Sequence, residues 1–302
     1  MQTRHIDSRV QAGARRRLPA WVLVLSFVFG GLALPLCRTA AAQQRPLVTE
    51  DPETIGPGQI LVQGGFDWNH NAVFPVSGLK GNQIAVPTLG LFFGLSSIAE
   101  LEFYGAPYQQ LSITSEEPAP LSDAVTFTGN STHDVQDLVV ATKIRVLAEK
   151  GSRPAFGVRF ATKLPNASNQ SGLGLDTTDF YATLLVGKTV QSVRVVGNIG
   201  VGILGDPTVA NSQNDVLVYG ISFARAVTQH VDMVGEVNGR ANTRSGLVPP
   251  GTDSLSDLRL GARFTRGAIR FDGGVLFGMT PRDPSIGFTT GVTYVFNAFK
   301  VP

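Results

Sequence analysis

Between Asp137 and Leu164 the chain writes one rule twice with a sharp break between. Leu138, Val140, Thr142, Ile144, Val146 and Ala148 alternate with Asp137, Val139, Ala141, Lys143, Arg145 and Leu147. After Glu149 to Arg153, Phe156, Val158, Phe160, Thr162 and Leu164 alternate with Ala155, Gly157, Arg159, Ala161 and Lys163. Strict period two, apolar on one side and charged on the other, specifies a strand whose faces meet different surroundings. At about 3.3 Å per residue each run is roughly 35 Å long. Tilted near 40°, it spans about 25 Å, the height of the apolar band of an outer-membrane barrel. The charged face then looks into a lumen.

The pattern recurs. Strands are expected at residues 59–69, 83–96, 98–107, 138–148, 155–164, 178–189, 192–203, 215–226, 230–240, 257–265, 267–277 and 285–296. Long polar connections near residues 70, 120, 170, 209, 249 and 281 alternate with tight turns near 97, 151, 191, 228 and 266. This is the asymmetry of long extracellular loops and short periplasmic turns. The expected fold class is all-β: an antiparallel transmembrane β-barrel of about twelve strands, with ten or fourteen as the neighbouring even counts. A soluble sandwich or jelly roll would also alternate, but its strands usually run five or six residues, and most of these run ten to twelve.

Three details test the topology. Lys188 and Arg225 have lipid-facing parity but stand at the turnward ends of their strands, where they can snorkel to the interface. Pro87 cannot donate to a ladder, so a bulge is expected there. Aromatic residues gather at two levels: Trp68, Phe103, Phe180, Tyr219, Phe277 and Phe288 near the outer end, and Phe223, Phe264, Phe271, Tyr294 and Phe296 near the inner one. Two girdles at the headgroup levels would result.

Composition agrees with export. Only 16% of the 302 residues are charged, well below the quarter usual in soluble domains. Residues 1–42 read as a cleaved signal peptide: a basic start ending in Arg15, Arg16 and Arg17, an apolar run from Ala20 to Leu36, then Ala40, Ala41 and Ala42. An uncleaved anchor fits less well, because Gly30, Gly31 and Pro35 interrupt that run. Six of the 25 basic and one of the 23 acidic residues lie there, so the remainder carries 19 basic and 22 acidic residues, a net charge of −3. Nucleic acid is therefore a poor candidate partner, and none is expected. The one cysteine, Cys37, leaves with the signal, and neither a disulfide frame nor a thiolate metal site follows. Residues 43–58, rich in acids and in Pro and Gly, have no periodicity and read as a periplasmic leader to a barrel at 59–302.

The stretch Arg45-Pro46-Leu47-Val48-Thr49-Glu50-Asp51-Pro52-Glu53-Thr54, followed by Gly58 and a strand, resembles the family of outer-membrane proteins named for the meta-cleavage pathway of phenol degradation (the MetA-pathway family). Asp137-Leu138-Val139-Val140-Ala141-Thr142-Lys143, Lys163-Leu164-Pro165, Gly172-Leu173-Gly174 and Thr178-Asp179-Phe180 fit the same pattern. The resemblance implies a barrel with a transport role for small, often aromatic or apolar compounds, and it brings no catalytic residues. Barrels of this kind commonly end on an aromatic residue, whereas Phe299 is followed here by Lys300, Val301 and Pro302. Tyr294, Phe296 and Phe299 are the residues left for the insertion machinery.

The candidate site is the inward face. Glu100, Glu102, Asp137, Lys143, Arg145, Arg159, Lys163 and Arg194 gather on one part of the wall, and Asp232, Glu236, Arg240, Asp257, Arg259, Arg263, Arg270 and Asp272 on another. The turn near 151 sets Lys143 level with Arg159, and the turn near 266 is expected to set Arg263 level with Arg270. Such cation pairs need carboxylates or an anionic solute nearby. Glu100 and Glu102 can serve one side, and Asp232, Glu236 and Asp272 the other. Two readings follow: a pore lined by charged ladders, or an ion-pair network that knits the lumen shut. The expected function is passive passage of small solutes, with no cofactor, metal or chemical step. The alternatives are a non-conducting structural or surface-binding barrel and, next, a hydrolase. A hydrolase needs histidine beside serine on one face, whereas His70 and His133 fall in outer loops and His230 at a turn. Expected partners are outer-membrane lipid, the solute and the insertion machinery, with the barrel a monomer. The long connection Tyr108 to Gln136, or the leader from below, could fold inward and narrow the pore.

Overall fold

A computed structural model describes residues 45–300; the expected signal peptide lies outside them. The strands are β1 (Gln59–Phe74), β2 (Leu79–Gly94), β3 (Ala99–Gly105), β4 (Gln109–Glu116), β5 (Ser131–Asp134), β6 (Val139–Leu147), β7 (Ala155–Lys163), β8 (Asp179–Val190), β9 (Val193–Gly205), β10 (Gln213–Ala226), β11 (Val231–Asn242), β12 (Leu255–Arg266), β13 (Ile269–Gly278) and β14 (Ile286–Asn297). β3 and β4 both pair with β2, one above the other. They are two parts of one stave, as are β5, on β4, and β6, on β3. Twelve antiparallel staves result, and β1 pairs with both β2 and β14, so the sheet closes on itself. Closure joins the two ends of the sheet, the condition for it to span lipid; β5, paired with β4 alone, lies at the upper part of its stave.

The alternation sorts the two faces as read. Phe160 is 45% exposed, Leu184 57% and Ile221 59%, whereas their inward neighbours Arg159, Leu185 and Ser222 are buried. One exception has a local cause. The register slips between Arg145 and Leu147, so Leu147, expected inward, is turned to the exposed face beside Val146. A bulge changes parity by one, and every residue beyond it changes side. Lys188 reaches back to the turn, donating to Glu149 Oε1 at 2.8 Å and Gly151 O at 2.5 Å.

Pro87 sits in a bulge, as expected. Gly65 pairs with Thr88 and Asp67 with Ala85, so Val86 and Pro87 together oppose Phe66. The neighbouring staves break at the same level, at 106–108 between β3 and β4 and at 135–138 between β5 and β6. Val86 N bonds Tyr108 O at 2.9 Å and Gln136 N bonds Ala106 O at 2.8 Å, carrying the ladder across the break.

The long connections are shorter than the sequence reading. β1 and β2 continue to a turn at 75–78, and the expected loop Tyr108 to Gln136 contracts to 117–130 because β4 and β5 extend the staves upward. Leu111 and Ile113 alternate within β4 and carry a small apolar cluster with Ala72 and Leu79. Val125 and Phe127, from the connection itself, fold down on it. The long connections share one end of the barrel and the short turns the other.

Candidate functional site

The lumen is occupied. Residues 45–58, read as a periplasmic leader, lie inside the barrel rather than beyond its short-turn end, and they carry no strand pairing with the wall. Their polar groups meet the inward rows one after another. Arg45 Nη1 donates to Thr88 Oγ1 (2.9 Å) and Nη2 to Thr289 Oγ1 (2.8 Å), and Nε is 3.4 Å from Asp272. Its carbonyl accepts from Arg263 Nε at 2.7 Å. The N–H groups of Val48 and Thr49 both donate to the Glu236 carboxylate, at 2.8 and 2.7 Å. Glu50 and Asn198 exchange two bonds, Glu50 N to Asn198 Oδ1 (2.7 Å) and Asn198 Nδ2 to Glu50 O (2.8 Å). Asp51 grips Arg194 through both oxygens at 2.7 and 2.8 Å, Glu53 pairs with Arg145, and Ile55 N donates to Glu100 Oε2 at 2.7 Å. Ile55 then packs with Leu61 and Phe92 before the chain enters β1.

The filling of the lumen by this segment has a plain physical reason. A lumen lined with ions cannot be left dry and unpaired, and an irregular segment brings its own orphan N–H groups, which the wall carboxylates accept. Arg45 is the complementary cation for the acidic side of the wall, and Glu50, Asp51 and Glu53 are the anions for the basic side.

The most buried part of this network is Glu50 with Glu100, Glu102, Lys143 and Arg159. Lys143 has a side chain only 1% exposed, with Glu100, Glu50 and Glu102 carboxylates at 2.7, 3.3 and 3.6 Å. Arg159 Nε lies 2.9 Å from Glu102 and 3.1 Å from Glu50, and its Nη2 donates to Tyr104 Oη at 2.7 Å. Three carboxylates thus face two cations. Burial first, and the Glu102 charge second, push the Glu50 carboxyl up to about 7, against the pull of Arg159 and Lys143. At the short-turn end Glu149 accepts from Lys188, from the Thr189 N–H and hydroxyl, and from Arg194. Its burial acts upward, but these donors outweigh it and hold the carboxyl below its ordinary range.

Small residues make the space. Pro46 lies against Gly261 and Gly274 of β12 and β13: a Cβ on Gly261 would come within 2.7 Å of Pro46 Cγ. Thr49 lies against Gly220, and Pro52 against Gly157 and Gly187. With the polar contacts above, residues 45–55 reach every one of the twelve staves. An inward glycine in a strand marks close approach of another backbone, a signal already present in the sequence.

The predicted inward residues are all on the lumen side, but they fall into different groups. Lys143 pairs in register with Arg159 and with Glu100, as expected. Arg263 does not pair with Arg270. The turn Gly267–Ala268 sets Arg266 opposite Ile269, which places Arg263 opposite Asp272 and Arg270 opposite Thr265, two residues from the expected register. Opposite charges meet where like charges were expected, and Asp232 faces Arg263 from β11. Arg259 holds Asp257 at 2.9 Å and lies 3.6 Å from Glu236. Asp137 and Lys163 pair at 2.7 Å near the long-loop end, away from the segment 45–58. His70 bonds Asn82, His133 stacks on Tyr108 and His230 bonds Thr265 O. Among the described residues no cluster of His, Cys, Asp and Glu has metal-site spacing. Arg45, Glu50, Asp51, Glu53 and Asn198 were missed as site residues, because nothing periodic marks the segment that carries four of them.

The sequence matches no protein-family model and no curated protein. Among solved structures, the chain is similar to an outer membrane channel from Pseudomonas putida F1, with a TM-score of 0.61 at 12% identity, over 82% of this chain and 98% of that one. The fold is that of an outer-membrane barrel. The NanC porin is similar with a TM-score of 0.48 at 8% identity, over 78% of this chain and 98% of that one. The translocator domain of the autotransporter NalP from Neisseria meningitidis reaches 0.47 at 11% identity, over 80% and 89%.

Toward its long-loop end the outer-membrane barrel holds a cavity of about 280 Å³. Its apolar lining includes Val73, Phe74, Leu173, Leu175, Leu204 and Leu255. Its polar lining includes Asp137, Lys163, Asp179, Tyr181, Arg240 and Asp253.

Proposed function

We propose that this protein is an outer-membrane channel for small solutes, closed at rest by residues 45–58 and conducting when that segment shifts within the lumen. The observation that carries the reading is the nature of the closure. The wall is a continuous hydrogen-bonded cylinder, whereas the segment across it is irregular and held by ion pairs and side-chain hydrogen bonds that water and salt can replace. A barrel needing only a solid core would fill it with apolar side chains, since a buried ion pair is weak evidence for stability. The similarity to a channel fold supports the reading, and so does the resemblance of residues 45–54 and 137–143 to the MetA-pathway family. That resemblance also supports aromatic or apolar compounds as the solutes. Residence in a Gram-negative outer membrane, with the long loops outside, is supported by the exposed apolar belt and the asymmetry of the connections. The inward charges then set the path: Lys143, Arg145, Arg159 and Arg194 on one side, and Glu236, Asp257 and Asp272 on the other.

A crosslink tests it. A Cβ on Gly220 would lie 3.5 Å from Thr49 Cβ, within the span of a disulfide. Cys37 is the chain's one natural cysteine and lies in the expected signal. The double substitution Thr49→Cys with Gly220→Cys is expected to give single-channel currents in planar bilayers that vanish on oxidation and return with dithiothreitol. Currents identical in the oxidised and reduced states would refute a moving segment. A second reading, a permanently closed barrel, draws on the near-complete burial of Glu100, Glu102 and Lys143. It expects silence in both states.

A further inference from the structure

The charges around the cavity at the long-loop end are committed unevenly. Lys163 is held between Asp137 at 2.7 Å and Asp179 at 3.3 Å. Both acids are further occupied: Asp137 Oδ1 accepts from the N–H groups of Asn166 (3.0 Å) and Ala167 (2.9 Å), and Asp179 Oδ1 from that of Gly205 (3.0 Å). Arg282 lies 3.5 Å from Asp253. Arg240 differs. Among the described residues it takes part in no ion pair, and its guanidinium donates only to carbonyls, Nε to Asp253 O at 2.9 Å and Nη2 to Gly251 O at 2.7 Å. Those bonds use one edge of the fork and fix its plane. Of five N–H donors, three remain, including the end-on pair that matches a carboxylate in bidentate fashion.

We propose that this cavity binds a small organic acid, with its carboxylate on the end-on edge of Arg240 and its apolar body against Phe74, Leu173, Leu175 and Leu204. The proposal rests on the channel reading for its biological sense and names the class of solute that would enter. The chamber is close to the lower size of small-molecule sites, with a largely apolar wall and one oriented cation whose guanidinium is held by carbonyls and, among the described residues, by no carboxylate. A cation would find Asp137, Asp179 and Asp253 already engaged. A wholly apolar compound would leave the Arg240 donors facing it unmet, at the cost that attends any buried polar group without a partner.

The test is binding to the purified protein in nanodiscs of zwitterionic lipid, measured by isothermal titration calorimetry. Benzoate is compared with benzamide, its neutral counterpart of the same shape, and with acetate, which lacks the body. One benzoate per chain is expected, at least tenfold tighter than either benzamide or acetate. Arg240→Gln should bring benzoate down to the level of benzamide, and Arg240→Lys should lose less. Leu175→Trp, which fills the chamber from its apolar side, should weaken benzoate and benzamide together. Equal affinity for benzoate and benzamide, or benzoate binding unchanged by either Arg240→Gln or Leu175→Trp, overturns the assignment. Since binding is read without flux, a channel that conducts but ignores benzoate sinks only this site. A barrel that binds benzoate yet carries no redox-sensitive current sinks only the channel.

Discussion

Lys143 concentrates the energetic problem of this lumen in one side chain. Its ammonium is almost wholly buried and sits among three carboxylates, so its removal would leave those carboxylates with Arg159 as their only cation on the wall nearby. Removing one partner of a buried ion pair typically costs about 3–5 kcal/mol. Lys143→Met is therefore expected to destabilise the folded barrel by that order, read as a lower urea midpoint in lipid vesicles. Adding Glu100→Gln should recover much of the loss, because the pair behaves as a unit. Additive losses in the double variant would show that the two groups do not interact. At this scale the sequence was informative but incomplete. Period two put Lys143, Arg159, Glu100 and Glu102 on one face and at one level, whereas Glu50 had no pattern that could aim it at them.

For the element that fills the lumen, the protonation of Glu50 supplies a handle. Its carboxyl is pushed from 4.5 to about 7 when the segment is seated, so seating takes up a proton across that interval. A group whose bound pKa is raised favours the bound state most at low pH, and that preference is lost as pH rises toward the raised value. The difference corresponds to on the order of 3 kcal/mol between pH 4.5 and 7. The seated state is thus favoured in acid, and above pH 7 an ionised Glu50 adds a third negative charge facing Lys143 and Arg159. Open probability in bilayers is expected to rise between pH 5 and 8. In Glu50→Gln the pH dependence should flatten at the closed level. A steeper opening in acid would contradict the assignment. The register of the wall elements was legible across the turn at 148–154, where Lys143 stands opposite Arg159 as expected. It failed by two residues at Gly267–Ala268, because an error of two preserves facing, and facing was all that alternation could check.

Viewed as a whole, the molecule has one apolar cylinder outside and one polar column inside, and each depends on the other. A nitroxide at Phe160 should collide with oxygen dissolved in lipid and be shielded from a water-soluble nickel chelate, while one at Lys163, by the cavity, should show the reverse. Equal accessibility at the two sites would be incompatible with the barrel. The cylinder was legible because lipid imposes the same demand on every strand, so a dozen short segments repeat one message and the number of staves follows from counting them. The column was not, because water, ions and a polypeptide segment can all satisfy an inward charge equally well.

The order of amino acids by itself determined which side of each strand meets lipid, how many staves close the barrel and which end carries the long connections. All three depend on local period and spacing. Only the tertiary structure decided that residues 45–58 fill the lumen, that Arg263 faces Asp272, and that Arg240 faces a chamber without forming an ion pair among the described residues. Those outcomes join residues far apart in the chain, and they are fixed by cylinder closure, by room beside inward glycines and by the need of every buried charge for a partner.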